Sequence, residues 1–157
     1  HMRIHIISIG NKMPNWVNEG FNEYAKRMPT ECQVNLIELP PAQRSKTTDL
    51  KRAIQDEGQR MLKAIPKNSS IVAIDVAGKA HSTESLSREL ENWLSSGQDV
   101  VLLIGGADGL SSECIAAAKS KWSLSKLTYP HPLVRVILAE QLYRAWSLMR
   151  NHPYHRA

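Results

Sequence analysis

The sequence predicts an α/β fold, a three-layer sandwich around a mostly parallel sheet. Three observations predict it. Short β-branched runs alternate with segments of helical period along the whole chain. The run Val100–Ile104 is apolar throughout, as a central parallel strand must be. The 157 residues are one domain's worth, and no repeat, linker or low-complexity stretch divides them, so residues 2–157 are expected to form a single domain.

Taken in order, residues 4–9 are apolar and end at Gly10-Asn11, which gives a buried first strand. Pro14 suits a first helical position, and Val17, Phe21, Tyr24, Ala25 and Met28 then repeat along one helix face up to Pro29. Val34, Leu36, Ile37 and Leu39 make a second strand, closed by Pro40-Pro41. The polar, basic stretch 42–48 has no period and is expected to be a mobile loop. A helix over 49–64 turns Leu50, Ile54, Met61 and Leu62 inward and stops at Pro66. Residues 71–76 give a third strand. Ser82 or Thr83 caps a third helix striped by Leu86, Leu90, Trp93 and Leu94, with Gly97 at its end. After the Val100–Ile104 strand, a glycine loop leads to a short helix over 112–119 and a fifth strand over 122–127. The last helix covers 133–150.

Composition excludes several classes. Hydrophobic residues at 42% and charged residues at 22% exclude disorder. No apolar run is long enough for a transmembrane helix, and no secretory signal opens the chain. His1 reads as a tag remnant ahead of a natural Met2. Cys32 and Cys114 match neither a zinc nor a redox spacing and are expected to be reduced thiols in a cytoplasmic protein, with no metal site. The net charge of +5 is unevenly spread. Residues 1–120 hold 14 basic and 14 acidic side chains, whereas residues 121–157 hold six basic ones against Glu140 alone. Such asymmetry points to a polyanionic partner, most simply nucleic acid.

Four segments carry candidate chemistry. The loop Ile104-Gly105-Gly106-Ala107-Asp108-Gly109 follows a buried strand and precedes a helix, where ligands bind in open α/β sheets. Its spacing is neither a dinucleotide nor a Walker fingerprint, so plain turn geometry explains it equally well. Residues 124–132 end in Tyr129-Pro130-His131-Pro132, a loop stiffened by two prolines around a histidine. The final helix is apolar nearly all round, which predicts a second surface against it, most simply a second copy of the chain. Within it Glu140 and Arg144 stand at i, i+4 and can pair. The tail 151–157 gathers His152, Tyr154, His155 and Arg156, groups able to bind phosphate, stack on a base or move a proton.

Together these segments resemble a known family. The strings "LLIGGADGL", "WSLSKLTYPHPLVRVILAEQLYRAWS" and "NHPYHR", with "IISIGNKMPNWV" near the start and "LKRAIQDEG" in the middle, are similar to the bacterial pseudouridine-N3 methyltransferases of large-subunit ribosomal RNA, within the SPOUT superfamily. The resemblance covers nearly the whole chain. It implies a C-terminal trefoil knot, which no pattern in the sequence would suggest, knots being very rare. It also implies a homodimer and S-adenosylmethionine as methyl donor, with 23S rRNA in the assembled ribosome as substrate. By position it carries the donor pocket to Ile74, Gly105 and the run Leu124, Ser125, Lys126, Leu127, Thr128 and Tyr129. The active-site neighbourhood falls on His131, Tyr154, His155 and Arg156, with His131 or His155 able to act as base. The residues alone leave two rivals: a ribosome-binding factor without chemistry, and another nucleotide-binding α/β enzyme.

Overall fold

A computed structural model describes residues 1–45 and 49–156. Five strands form one sheet: β1 (Met2–Ile9), β2 (Cys32–Leu39), β3 (Ser70–Ala80), β4 (Val100–Ile104) and β5 (Ser120–Ser123). Their order is β2-β1-β4-β3-β5, and every pairing is parallel. Five α-helices connect or follow them: α1 (Asn15–Ala25), α2 (Leu50–Ala64), α3 (Thr83–Ser96), α4 (Ser112–Ala117) and α5 (His131–Met149). A short 3-10 turn, Pro153–Arg156, ends the chain.

Strand alternation divides the core between the two sheet faces. Ile4, Ile6, Leu102 and Ile104 point to the face covered by α1, α3 and α5, where they meet Phe21, Leu90 and Leu138. Ile7, Ile9, Val101 and Leu103 point to the other face and meet Met61 of α2 and Cys114 of α4. The expected three layers are therefore present. Both cysteines are free and buried.

Several sequence expectations shift: β3 runs past residue 76 to Ala80, and α5 starts at His131 instead of 133. The fifth strand ends at Ser123, four residues early, because two serine hydroxyls capture the backbone beyond it. Ser123 Oγ donates to the Ser125 carbonyl, and Ser125 Oγ accepts from the Leu127 N–H, each at 2.9 Å. Leu50, expected to face inward, is 50% exposed, whereas the buried stripe of α2 is Ala53, Glu57, Gly58 and Met61. The loop expected to be mobile is tied down as far as it is described: Arg44 donates to Glu57 and Asp108. Lys46, Thr47 and Thr48, the rest of that expectation, lie outside the described residues.

Because all strands run the same way, their carboxyl ends share one edge of the sheet, where ligands enter open α/β folds. The loops after every strand therefore gather there. Helix α5 starts at that edge. Arg135, fully buried in its second turn, donates to Glu38, Ser8 and the Gly10 carbonyl, which ties α5 to the ends of β1 and β2.

Candidate active site

The irregular stretch of β3 after Ile74 and the loops after β4 and β5 enclose a cavity of about 490 Å³, inside the range of small-molecule sites. Its walls are residues 74–76, the glycine loop from Ile104 to Leu110 without Asp108, and most of the segment from Leu124 to His131 with Val134. Of the eight expected donor-pocket residues, seven line it and Lys126 does not. Val76 and Leu127 sit on its rim with 65% and 71% of their surface exposed. An apolar rim of this kind gains by covering a flat apolar ligand.

The glycine loop is folded on itself. The Gly109 N–H donates to the Gly106 carbonyl at 3.1 Å. A Cβ on Gly105 would stand 2.5 Å from the Gly109 carbonyl carbon and 2.8 Å from the Leu110 nitrogen. Gly105 is therefore needed for the loop to close, before any ligand arrives. A clasp outside the cavity holds this loop. Glu57, 2% exposed, accepts from Arg44 and from the Ala42 N–H, and Arg44 Nε donates on to Asp108 at 2.8 Å. Sequence reading missed Glu57. The signal was available, because Ala53, Glu57 and Met61 are spaced four apart on the inward face of α2.

His131 is the first residue of α5, between Pro130 and Pro132. It lines the cavity. Burial lowers its pKa below the ordinary value near 6.5, and the cations Arg135 and Arg44 add to this against Glu57. The imidazole is thus neutral, able to accept a proton, at neutral pH.

The tail lies elsewhere on the same chain. α5 ends in a left-handed Asn151, with the Asn151 N–H donating to the Leu148 carbonyl and the His152 N–H to the Ser147 carbonyl. This Schellman turn sends the chain back along the helix. Tyr154 then packs edge-on against Tyr143 and Tyr24, and its hydroxyl donates to Glu140 at 2.8 Å. Arg144 binds the same carboxylate at 2.7 Å, as the i, i+4 spacing predicted. Burial and Glu140 push the Tyr154 phenol well above its ordinary range. His155 Nδ1 is held by the His152 carbonyl, and Arg156 is exposed. None of Tyr154, His155 and Arg156 lines the cavity.

Comparison with known proteins decides the family. A family model described as "Predicted SPOUT methyltransferase" matches residues 2–155. The chain belongs to the SPOUT methyltransferase family. Relatives within it are named "Ribosomal RNA large subunit methyltransferase H". The one from Thioalkalivibrio sulfidiphilus is 57% identical over 99% of both chains. Those from Methylococcus capsulatus and Saccharophagus degradans are 54% and 56% identical over 99% of this chain and all of theirs.

For a SPOUT methyltransferase the cavity suits the donor expected of the family. An adenosine needs apolar walls and backbone polar groups, which Leu124, Leu127, Val76 and the two loops offer. A sulfonium is favoured by nearby negative charge, and Asp75 lines the cavity. The basic C-terminal end reads differently from its sequence. Arg135, Arg144 and Arg150 are paired with Glu38, Glu140 and Glu31. Among the described residues, only Lys121, Lys126 and Arg156 of that segment are left without an ion pair. Two of the acidic partners come from the N-terminal third, so the local charge excess in sequence is partly neutralised in space.

Proposed function

We propose that this SPOUT methyltransferase transfers a methyl group from S-adenosylmethionine to N3 of a pseudouridine in 23S rRNA, acting on the assembled ribosome in the cytoplasm. The reading rests on the full-length match to relatives named as ribosomal RNA large subunit methyltransferases. The observation that carries it in this chain is the cavity whose walls include seven of the eight expected donor-pocket residues and His131. Residues 2–157 act as one methyltransferase domain. A trefoil knot formed by the cavity side of β3, the loops after β4 and β5, and α5 is part of the reading. Its support is that these consecutive segments converge on one cavity.

Bound S-adenosylmethionine supplies a methyl already activated on a sulfonium sulfur. The chain then has two tasks: to hold the acceptor nitrogen in line and to remove its proton. His131, neutral and beside the cavity, takes the proton from N3. Arg156, exposed at the end of the tail, offers a guanidinium to the negative charge left on the ring. His155 is the second candidate base, while Tyr154 is the anchor that fixes the tail on α5.

Groups that share a reaction must meet, and within one chain these do not. The Tyr154 hydroxyl meets α5 at Glu140, nine residues from His131, or about 14 Å of helix axis. We therefore assign the catalytic tail to a second copy in a two-fold dimer. The outward face of α5 supports this. Leu133, Ile137 and Leu148 are only half-buried and lie outside both core clusters. Leu142, by contrast, is fully buried within its own chain, so it belongs to the fold and not to an interface.

Mass mapping of 23S rRNA from a strain lacking the protein tests the reading. One pseudouridine should lack its methyl group and regain it when purified protein and S-adenosylmethionine are added to the ribosomes. Ribosomes that remain unmethylated would refute the proposal.

A further inference from the structure

His131 borders two cavities. Besides the donor cavity, it closes a second one of about 460 Å³, formed by the turn Gly10 to Met13 after β1 and by Pro40 and Pro41 after β2. The two spaces occupy the same edge of the sheet. One lies against β3 and beyond β4 and β5, the other beyond β1 and β2, and the imidazole stands where they meet.

The second cavity is built, not incidental. Gly10 has φ +116°, which an L side chain rarely adopts. A Cβ there would lie 2.6 Å from Met13 Cε and 3.4 Å from His131 Nε2, so only glycine leaves the gap between those two side chains open. Arg135 fixes this corner from below. Its Nη2 donates to the Gly10 carbonyl and to Ser8 Oγ, each at 3.1 Å, and its Nη1 donates to Glu38 at 2.6 Å. Arg135 Nε has no partner among the described residues. The fully buried cation therefore lies behind the wall that His131 and Gly10 share.

We propose that this second cavity is the subsite for the target nucleotide of the RNA, with its flat base between Met13 and the Pro40-Pro41 pair, its phosphate at Lys12, and its acceptor nitrogen turned past His131 toward the donor cavity. This rests on the methyltransferase reading and adds to it where the substrate sits. The chemistry of the walls fits. Two prolines and a methionine present rigid and polarisable apolar surface to a ring. Lys12 is exposed and supplies a positive charge for a phosphate. The step balances: N3 loses its proton to the imidazole, a nitrogen–carbon bond forms, the sulfur–carbon bond breaks, and S-adenosylhomocysteine leaves with the proton passed to water.

Methyl transfer to ribosomes lacking the modification tests this, with donor binding measured separately by calorimetry. Lys12→Glu should raise KM for ribosomes about tenfold or more and leave the affinity for S-adenosylmethionine within about twofold. Lys63→Glu makes the same charge change on α2, lines neither cavity, and should leave KM unchanged. Met13→Trp, which fills the gap, should lower kcat/KM by at least a similar factor without affecting the donor. In wild type, ultraviolet cross-links from the target nucleotide should fall on residues 10–13 or 40–41. Unchanged KM and kcat in both variants would overturn the subsite, as would a parallel loss of donor affinity. Cross-links confined to the tail would also overturn it. If wild-type protein binds no donor or methylates nothing, the methyltransferase reading fails first, and these controls show it.

Discussion

The two ends of α5 are fixed by different means. At its start, His131 is held by backbone stiffness between Pro130 and Pro132, and a cavity opens on each side of it. At its end, the chain is held by side chains: the turn at Asn151, the ring contacts of Tyr154, and the Glu140 carboxylate shared by Arg144 and Tyr154. The first end has space for ligands. The second has charge and aromatic surface, and its Tyr154, His155 and Arg156 line none of that space. The difference teaches that one chain keeps its cavity and its tail apart, and the proposed second copy is what would bring them together.

The comparison breaks most visibly at the tail. Ending the chain after His152 should reduce methyl transfer by about 10²–10⁴-fold while calorimetric binding of S-adenosylmethionine stays the same. An equal loss of donor affinity would show that the tail serves the donor cavity of its own chain. At the other end, His131→Ala should lower kcat by about 10²-fold or more if the imidazole is the base. The wild-type rate should fall with acid only below the ordinary histidine value near 6.5, because the pKa of His131 is lowered. The sign follows from that shift: the neutral form persists to lower pH in the folded protein than in the free side chain. The same shift removes folding stability as pH falls through the lowered value. An acid limb centred above 6.5 would contradict this.

A smaller effect is expected from the glycine loop. Gly105→Ala places a carbon against the loop's own backbone, so it should cost about 1–3 kcal/mol in chemical denaturation and weaken donor binding with it. Normal donor affinity in that variant would mean that the loop tolerates the side chain. Smallest of all, Tyr154→Phe keeps the ring contacts but removes the hydroxyl from Glu140. It should cost about 1 kcal/mol and slow methyl transfer far less than truncation does. A loss as large as that of truncation would make the hydroxyl itself a catalytic group.

Much of this molecule was legible in its residues. The strand Val100–Ile104 was read to the residue, because only a run apolar at every position suits both sheet faces. The ends of α3 were legible because caps are local: Gly97 was expected, and of the two candidates Ser82 and Thr83 it is Ser82 that caps. The stiff segment leading to His131 was legible for the same reason, although it ends at Pro130, since α5 begins at His131, two residues earlier than expected. Pairings across the chain were not. Nothing in sequence joins Arg135 to Glu38 or Arg44 to Asp108, so the C-terminal charge excess looked freer than it is. Leu127 was read as strand, because its apolar character spoke louder than the two serines that turn the chain out at Ser123. The tail was read as chemically capable, but its docking on Glu140 depends on a fold-back that Asn151 sets in three dimensions.

The central claim, that the tail of one subunit completes the site of another, is tested most directly by a hybrid dimer. One subunit lacks the residues after His152. The other keeps its tail but carries Thr128→Trp, which fills the donor cavity from its wall. If tails act across the interface, the intact cavity receives the intact tail, and the other site loses both parts. The hybrid should then retain about half of wild-type methyl transfer, as one of two independent composite sites survives. A hybrid with no activity, formed from subunits that still dimerise, would contradict the claim of independent composite sites: each tail would serve its own subunit's cavity, or the two sites could not work independently.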